Sequence, residues 1–337
     1  MRTVFVIGAG ANVEIGMPSG ELLKNEIAKH LDFSNINSDS PQIIQIVNYA
    51  LSKASIDTNQ IRNIALTIRE AMPHAISIDN FIDAHRNEPG IEIGSKIAIV
   101  TSILVAEKRS IMFNPQILSS WKNRLSKTWY PLFFQKITEG CEINEFIERL
   151  KDISFIIFNY DRCFERYMTL AIQAYYRIGD RAKEIVKQMN IIHPYGTIGD
   201  LDYIPLGETV NHTLLLNAFP NIRTFTEDSE QTKNERTSIK HKIDTANRII
   251  FLGFAYHQMN LDLLFKYPGY AENHTDQAPL SEKIDCYGTG FEISENDRYH
   301  IQNLLKRMDQ RIDNCDISKD SCYQFFNNFW HRLSFRN

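Results

Sequence analysis

The run Val4-Phe5-Val6-Ile7 is apolar at every position and stops at Gly8-Ala9-Gly10-Ala11-Asn12. Continuous apolarity over so short a run, ending in a glycine turn, predicts a strand buried on both faces. After Gly16-Met17-Pro18 and Ser19-Gly20, the residues Leu23, Ile27 and Leu31 recur at four-residue spacing, which is the stripe of an amphipathic helix. The strand pattern returns at Ile153–Phe158, Asn190–His193 and Arg248–Phe254, and Ile284–Tyr287 leads into Gly288-Thr289-Gly290. The short apolar run Thr213–Leu216 is a further strand candidate.

Between the first helix and the second strand the period is helical. Ser34 to Pro41 reads as a loop, and Ile43 to Ala71 as two helices parted at Ser55 to Asn59. Ile78–Asp83 precedes Pro89-Gly90, read as a turn, and Gly94 to Met112 carries Ile97, Val100, Leu104 and Ile111 at helical spacing. Residues 34–150 thus form a mainly helical module, inserted into or packed over the sheet. Trp121, Trp129, Tyr130, Phe133 and Phe134 are read as its core, since few basic residues accompany them as a base-stacking surface needs. Helical spacing resumes at Phe164, Met168, Ala171 and Tyr175, and the charged stretch Thr224 to His241 reads as a solvated loop or helix face. Residues 295–337 predict two C-terminal helices, one with Ile301, Leu304, Leu305, Met308 and Ile312, the other with Tyr323, Phe326, Trp330 and Leu333. The expected architecture is one α/β domain over 1–337: a Rossmann-like, mostly parallel sheet flanked by helices, with an inserted helical subdomain.

Composition narrows the function classes. A chain of 337 residues, 43% hydrophobic and 23% charged, can bury one large core. A net charge of -4 gives no general attraction to nucleic acid, and no nucleic-acid motif is visible. The first apolar run is too short for a signal peptide or membrane anchor, so a cytoplasmic protein is expected. Five cysteines contain no C-x-x-C pair, so reduced thiols are expected, with no zinc ribbon and no metal.

Strand, glycine turn and helix in that order form the first half of a dinucleotide-binding unit, in which glycines let backbone amides approach a pyrophosphate. The competing reading has the glycines only turning a tight corner under a helix. Asn159 and Asp161 stand at the carboxyl end of a strand, where open α/β sheets bind ligands, although Asp161 would equally serve as a cap of the next helix. His193-Pro194-Tyr195-Gly196 ends the third strand, Gly253 the fourth and Gly288-Thr289 a fifth.

This series, in this order, resembles the sirtuin superfamily over roughly residues 3 to 310, specifically the bacterial sirtuin-like NAD-consuming proteins associated with defence against phage. The family's GAG-x-S and G-x-P motifs look like Gly8-Ala9-Gly10-Ala11-Asn12 and Gly16-Met17-Pro18, and its T-x-N-Y-D motif like Ile157-Phe158-Asn159-Tyr160-Asp161. Its fourth strand ends in glycine, as at Gly253, and Gly288-Thr289 resembles its last strand on the adenine side. Asn12 replaces the family's Ser and keeps a hydrogen-bonding side chain. The C-x-x-C pairs of the protein-deacylating sirtuins and the aromatic-Arg after Pro18 are missing, which disfavours deacylation. No His-Gly pair occurs, so either His193 or Tyr195 fills the place of the family's catalytic histidine.

The resemblance implies NAD as substrate, cleaved to nicotinamide and ADP-ribose, with NAD depletion serving defence. The nicotinamide leaves as a neutral pyridine, so it needs no proton, and an oxocarbenium-like transition state asks mainly for positioning and electrostatics. Asn159 would orient the ribose or the attacking water, and Asp161 would bond the ribose or organise the loop. His193 or Tyr195 would contact ribose hydroxyls, the imidazole being the better base with an ordinary pKa of about 6.5 against about 10. The loop Gly8 to Asn12 would hold the pyrophosphate. Alternatives are a module that senses NAD or an ADP-ribose derivative without turning it over and, third, an NAD-dependent deacylase. Control is expected from assembly, as a homo-oligomer or with a separately encoded partner such as a hexameric ATPase or an Argonaute-like protein. The candidate contact is the face of Tyr323, Phe326, Phe329, Trp330 and Leu333, with packing of these aromatics on the chain's own core as the competing reading.

Overall fold

Every strand among the described residues runs parallel to its neighbours. The strands β1 (Thr3–Ile7), β2 (Ile153–Ile157), β3 (Asn190–Ile192), β4 (Arg248–Leu252), β5 (Ile284–Thr289) and β6 (Ile312–Ser318) form one sheet in the order β3-β2-β1-β4-β5-β6. The computed structural model describes residues 1–33, 41–54, 56–113, 123–224, 230–266 and 283–335. The loop expected at 34–40, Ser55 in the expected helix break, Trp121, and 225–229 of the charged stretch lie outside them.

β1 and β4 are buried at all five positions because each is paired on both edges and covered on both faces. Phe5 stands in register between Phe155 and Ile250, stacks on Phe155 at 5.5 Å and meets the edge of Phe133 at 5.2 Å. This strand order runs one way from β1 to β3 and the other way from β4 to β6. The carboxyl ends of β1 and β4 therefore flank the point where chain direction across the sheet reverses, the place where such sheets bind dinucleotides.

The helices follow in chain order as α1 (Gly20–His30), α2 (Pro41–Lys53), α3 (Thr58–Ala71), α4 (Ile78–Ala84), α5 (Pro89–Arg109), α6 (Trp129–Thr138) and α7 (Ile143–Lys151) before β2. After it come α8 (Cys163–Tyr176), α9 (Arg181–Lys187), α10 (His212–Ala218), α11 (Glu230–Thr245), α12 (Gln258–Phe265), α13 (Glu295–Met308) and α14 (Cys322–Asn328). Between β1 and β2, the helices α2 to α7 lie along the span 34–150 expected to be mainly helical, and α2 to α5 pack together. The axis of that group is α5, long and apolar enough to cross a membrane by composition, but with 72% of its most apolar window buried inside the chain. A helix apolar all round is a core helix when other helices surround it, as α1, α2 and α3 do here.

Four sequence expectations are corrected. Pro89-Gly90 is no turn but the first residues of α5, where proline's missing N–H costs nothing. Thr213–Leu216 lies in α10: Asn211 accepts from the Leu214 amide at 2.9 Å as a helix cap, and only Leu215 and Ala218 of the helix are buried, one helical turn apart. Ile312 begins β6 rather than ending a helix, so the described residues from 295 to 335 run helix, strand, helix. β6 lies at the sheet edge with Asp313 and Asn314 exposed, and these polar residues hid the strand from an apolarity pattern. Finally, the proposed contact face is largely spent on the chain's own core. Phe326 and Leu333 are fully buried, Phe329 nearly so, and Phe326 stacks on Trp129 at 5.9 Å. Trp129, Tyr130, Phe133 and Phe134 are buried, as core readings require.

Candidate functional site

The turn after β2 is clamped from four directions. The Asn159 carbonyl accepts from His193 Nδ1 at 3.0 Å, in the loop after β3. Tyr160 donates its hydroxyl to Asp79 Oδ1 on α4. Asp161 accepts from Asn12 Nδ2 at 2.8 and 3.0 Å, in the loop after β1. Arg162 donates Nη2 to Glu107 Oε2 at 2.7 Å and Nε to Oε1 at 3.2 Å, on α5. Within this set the side chain of Asn159 is the exception: it is 5% exposed, and both its amide nitrogen and its oxygen are buried without a protein partner. Buried polar atoms are seldom left unmatched, so a carboxamide orphaned at both ends, at a strand's carboxyl tip, marks a place for a ligand or water.

Asp161 plays the capping part foreseen for it, since its Oδ1 also accepts from the Cys163 amide at the start of α8, at 3.0 Å. Burial pushes its carboxyl above the ordinary value, against the bonds from Cys163 and Asn12. Asn12 completes the chain by accepting at Oδ1 from the Tyr130 hydroxyl at 2.7 Å, while Trp129 Nε1 donates to the Ala11 carbonyl at 2.9 Å. Aromatic residues of α6 thus hold the glycine loop in place.

The glycines are needed for close approach between loops. A Cβ on Gly8 would stand 2.6 Å from the Gly253 carbonyl oxygen, and one on Gly253, whose φ is +55°, 1.8 Å from the Ala11 nitrogen. Gly10 donates its amide to the Gly253 carbonyl at 3.0 Å, and Gly8 to Leu252 at 2.9 Å. Two amides of the expected pyrophosphate loop are therefore already bonded, one to the last residue of β4 and one to the loop after it. Thr289 joins the same group by accepting the Gly253 amide at 2.8 Å, and Gly288 lies against Tyr256. Ala9 opens the 3-10 segment Ala9–Ile15, while Gly16, at φ +87°, and Pro18 lie at its far end, leading to the Ser19 cap of α1.

At the third strand end both candidates are engaged. His193 Nε2 meets Glu165 Oε1 at 2.7 Å while Nδ1 meets the Asn159 carbonyl, so both ring nitrogens face acceptors. Burial lowers the imidazole pKa, but the Glu165 carboxylate outweighs it and the net shift is upward. The same pairing outweighs burial to hold Glu165 below its ordinary value. Tyr195 donates to Asn260 Oδ1 at 2.6 Å, and burial raises its phenol well above 10.

Three residues with no signal in the sequence matter here. Asp79 and Glu107 reach the β2 turn from the helical module. Glu14 accepts from the Trp129 amide at 2.9 Å and the Tyr323 amide at 2.7 Å, capping α6 and α14 at once. No group of three or more His, Cys, Asp or Glu suited to a metal occurs among the described residues. No protein-family model matches the chain, and no curated protein matches it.

Proposed function

We propose that the chain is an NAD glycohydrolase of sirtuin-like type, cleaving the bond between nicotinamide and ribose at the carboxyl ends of β1, β2 and β4. The observation that carries this reading is the orphaned, buried carboxamide of Asn159, in a turn whose other side chains are all held. The strand order, which reverses between β1 and β4, supports a dinucleotide as the ligand. Asn159 would donate and accept toward the nicotinamide ribose or the attacking water, pre-organised by the clamp on Tyr160, Asp161 and Arg162. His193 would act as a charged strut fixing the Asn159 backbone rather than as the free base the sequence favoured. The test is incubation of the purified chain with NAD and chromatography for free nicotinamide.

The second reading, an NAD or ADP-ribose sensor that does not turn its ligand over, is favoured by one observation. Both nitrogens of His193 and the hydroxyl of Tyr195 are occupied, which leaves neither as a ready base. Tight NAD binding without nicotinamide release would select it. Control through assembly remains part of the proposal, but through a surface other than the buried Phe326 and Leu333.

A further inference from the structure

The short helix α4 directs two carboxylates, Asp79 and Asp83, toward the loops after β2 and β3. They are four residues apart and share a helix face. Asp79 bonds the Tyr160 hydroxyl, and both acids act on the phenol of Tyr195 through space. Behind them stands an aromatic wall. Phe158 meets Tyr195 at 5.7 Å and Phe254 at 5.2 Å, Tyr160 meets Tyr195 at 6.4 Å, and all four rings are buried. Asp79 and Asp83 are both only partly buried, so solvent reaches this group at its carboxylates.

No cation of the protein neutralises Asp79 among the described residues. Tyr160 is a neutral phenol, its ionisation suppressed by burial and by Asp79. Arg86 lies 3.9 Å from Asp83, not Asp79, and is itself exposed. On α5, against which α4 packs, Lys96 pairs with Glu92 at 2.8 Å. Arg236 of α11 acts on the Tyr195 side. Asp83 Oδ1 is buried without a partner, and one residue before Tyr160 lies the orphaned carboxamide of Asn159. An uncompensated carboxylate against a low-dielectric wall attracts positive charge more strongly than the same group in water.

We propose that Asp79, backed by the Tyr160 and Tyr195 rings, receives the cationic pyridinium of oxidised NAD, so that the site selects the oxidised over the reduced dinucleotide by charge. This rests on the dinucleotide reading above. The two forms share nearly one shape and differ by one positive charge on the ring, so a site without a facing anion would barely separate them. Burial, partly offset by the Tyr160 bond, raises the Asp79 carboxyl to about 6. The preference is therefore full above that pH and fades below it.

The experiment is calorimetric titration of the full chain with a carbocyclic analogue of oxidised NAD, which has no glycosidic bond to cleave, and with NADH. The expected result near pH 8 is binding of the cationic analogue tighter by at least about tenfold, one charge contact's worth. That ratio should shrink toward unity near pH 5, and Asp79→Asn should bring it within about threefold near pH 8. The pH arm uses the wild-type chain, so it decides the matter even if the variant misfolds. Equal affinities near pH 8, or a ratio indifferent to pH and to Asp79→Asn, would overturn the assignment. NAD cleavage without charge preference keeps the hydrolase and removes this inference, whereas preference without cleavage does the reverse. Binding of neither ligand removes both.

Discussion

Asn12 and Asp161, 149 residues apart in the chain, are joined by one amide nitrogen donating to both carboxylate oxygens, at 2.8 and 3.0 Å. The bond ties the loop after β1 to the turn after β2 and continues through Asn12 Oδ1 to Tyr130. Asn12→Ala leaves the buried Tyr130 hydroxyl and the Asp161 carboxylate short of a partner, at about 1–3 kcal/mol for each group. Denaturant unfolding should show that loss, and a larger one for Asn12→Asp, which sets a second carboxylate against Asp161. An unchanged midpoint in both would remove the link from the account.

The glycine contacts separate two substitutions of the same kind. Gly253→Ala meets both a φ of +55° and a backbone nitrogen 1.8 Å from the new Cβ, whereas Gly20→Ala at the start of α1 meets nothing within 4 Å. Gly253→Ala should yield a poorly folded chain, and Gly20→Ala a gain of about 0.4–1 kcal/mol from reduced unfolded-state entropy. Thermal melts of the two variants check this.

The His193–Glu165 pair makes stability depend on pH with a defined sign. The raised histidine pKa contributes stability that is fully present below its unfolded value, about 6.5, and is lost as pH rises through the higher folded value. The lowered Glu165 pKa contributes above its own unfolded value, about 4.5, and is lost as pH falls through the lower folded one. The pair is therefore strongest between about pH 4.5 and 6.5. His193→Gln should cost more stability near pH 6 than near pH 9, and equal losses at both would contradict a charged strut.

Asp79 has the opposite sign. Its carboxyl is raised to about 6, so its stabilising share is present below about 3.9 and lost as pH rises through about 6. Asp79→Asn should then melt above wild type near pH 8, by an increment of about 1–2 kcal/mol after allowing for its partial exposure, and the gain should vanish near pH 4. A destabilised variant near pH 8 would show that the charge is compensated.

The sheet was legible because buried parallel strands are apolar without interruption, and β1, β2 and β4 advertise themselves in that way. β6 was not, since Asp313 and Asn314 face solvent at the edge and break the run. α10 was mistaken for a strand because four residues from Thr213 to Leu216 are too few for either period to show. Of the site, Asn159, Asp161 and the glycines could be singled out from their places after strands. Their partners could not: Asn12 to Asp161, Tyr160 to Asp79 and Arg162 to Glu107 are contacts between segments about 50 to 150 residues apart, which no local pattern encodes. Glu165, which meets His193 from the first turn of α8, went unforeseen for the same reason.

The most direct measurement is nicotinamide release from NAD by wild type and by Asn159→Ala, with the melting temperature of each recorded alongside. Because the Asn159 carboxamide has no partner to lose, the variant should melt no lower than wild type. Its turnover should fall by about 100-fold or more, the cost of removing one pre-organised hydrogen-bonding group from a reacting centre. Wild type that releases nicotinamide, with a folded and silent Asn159→Ala, is the result predicted here. Release that survives Asn159→Ala, or a wild type that releases none, would contradict the account.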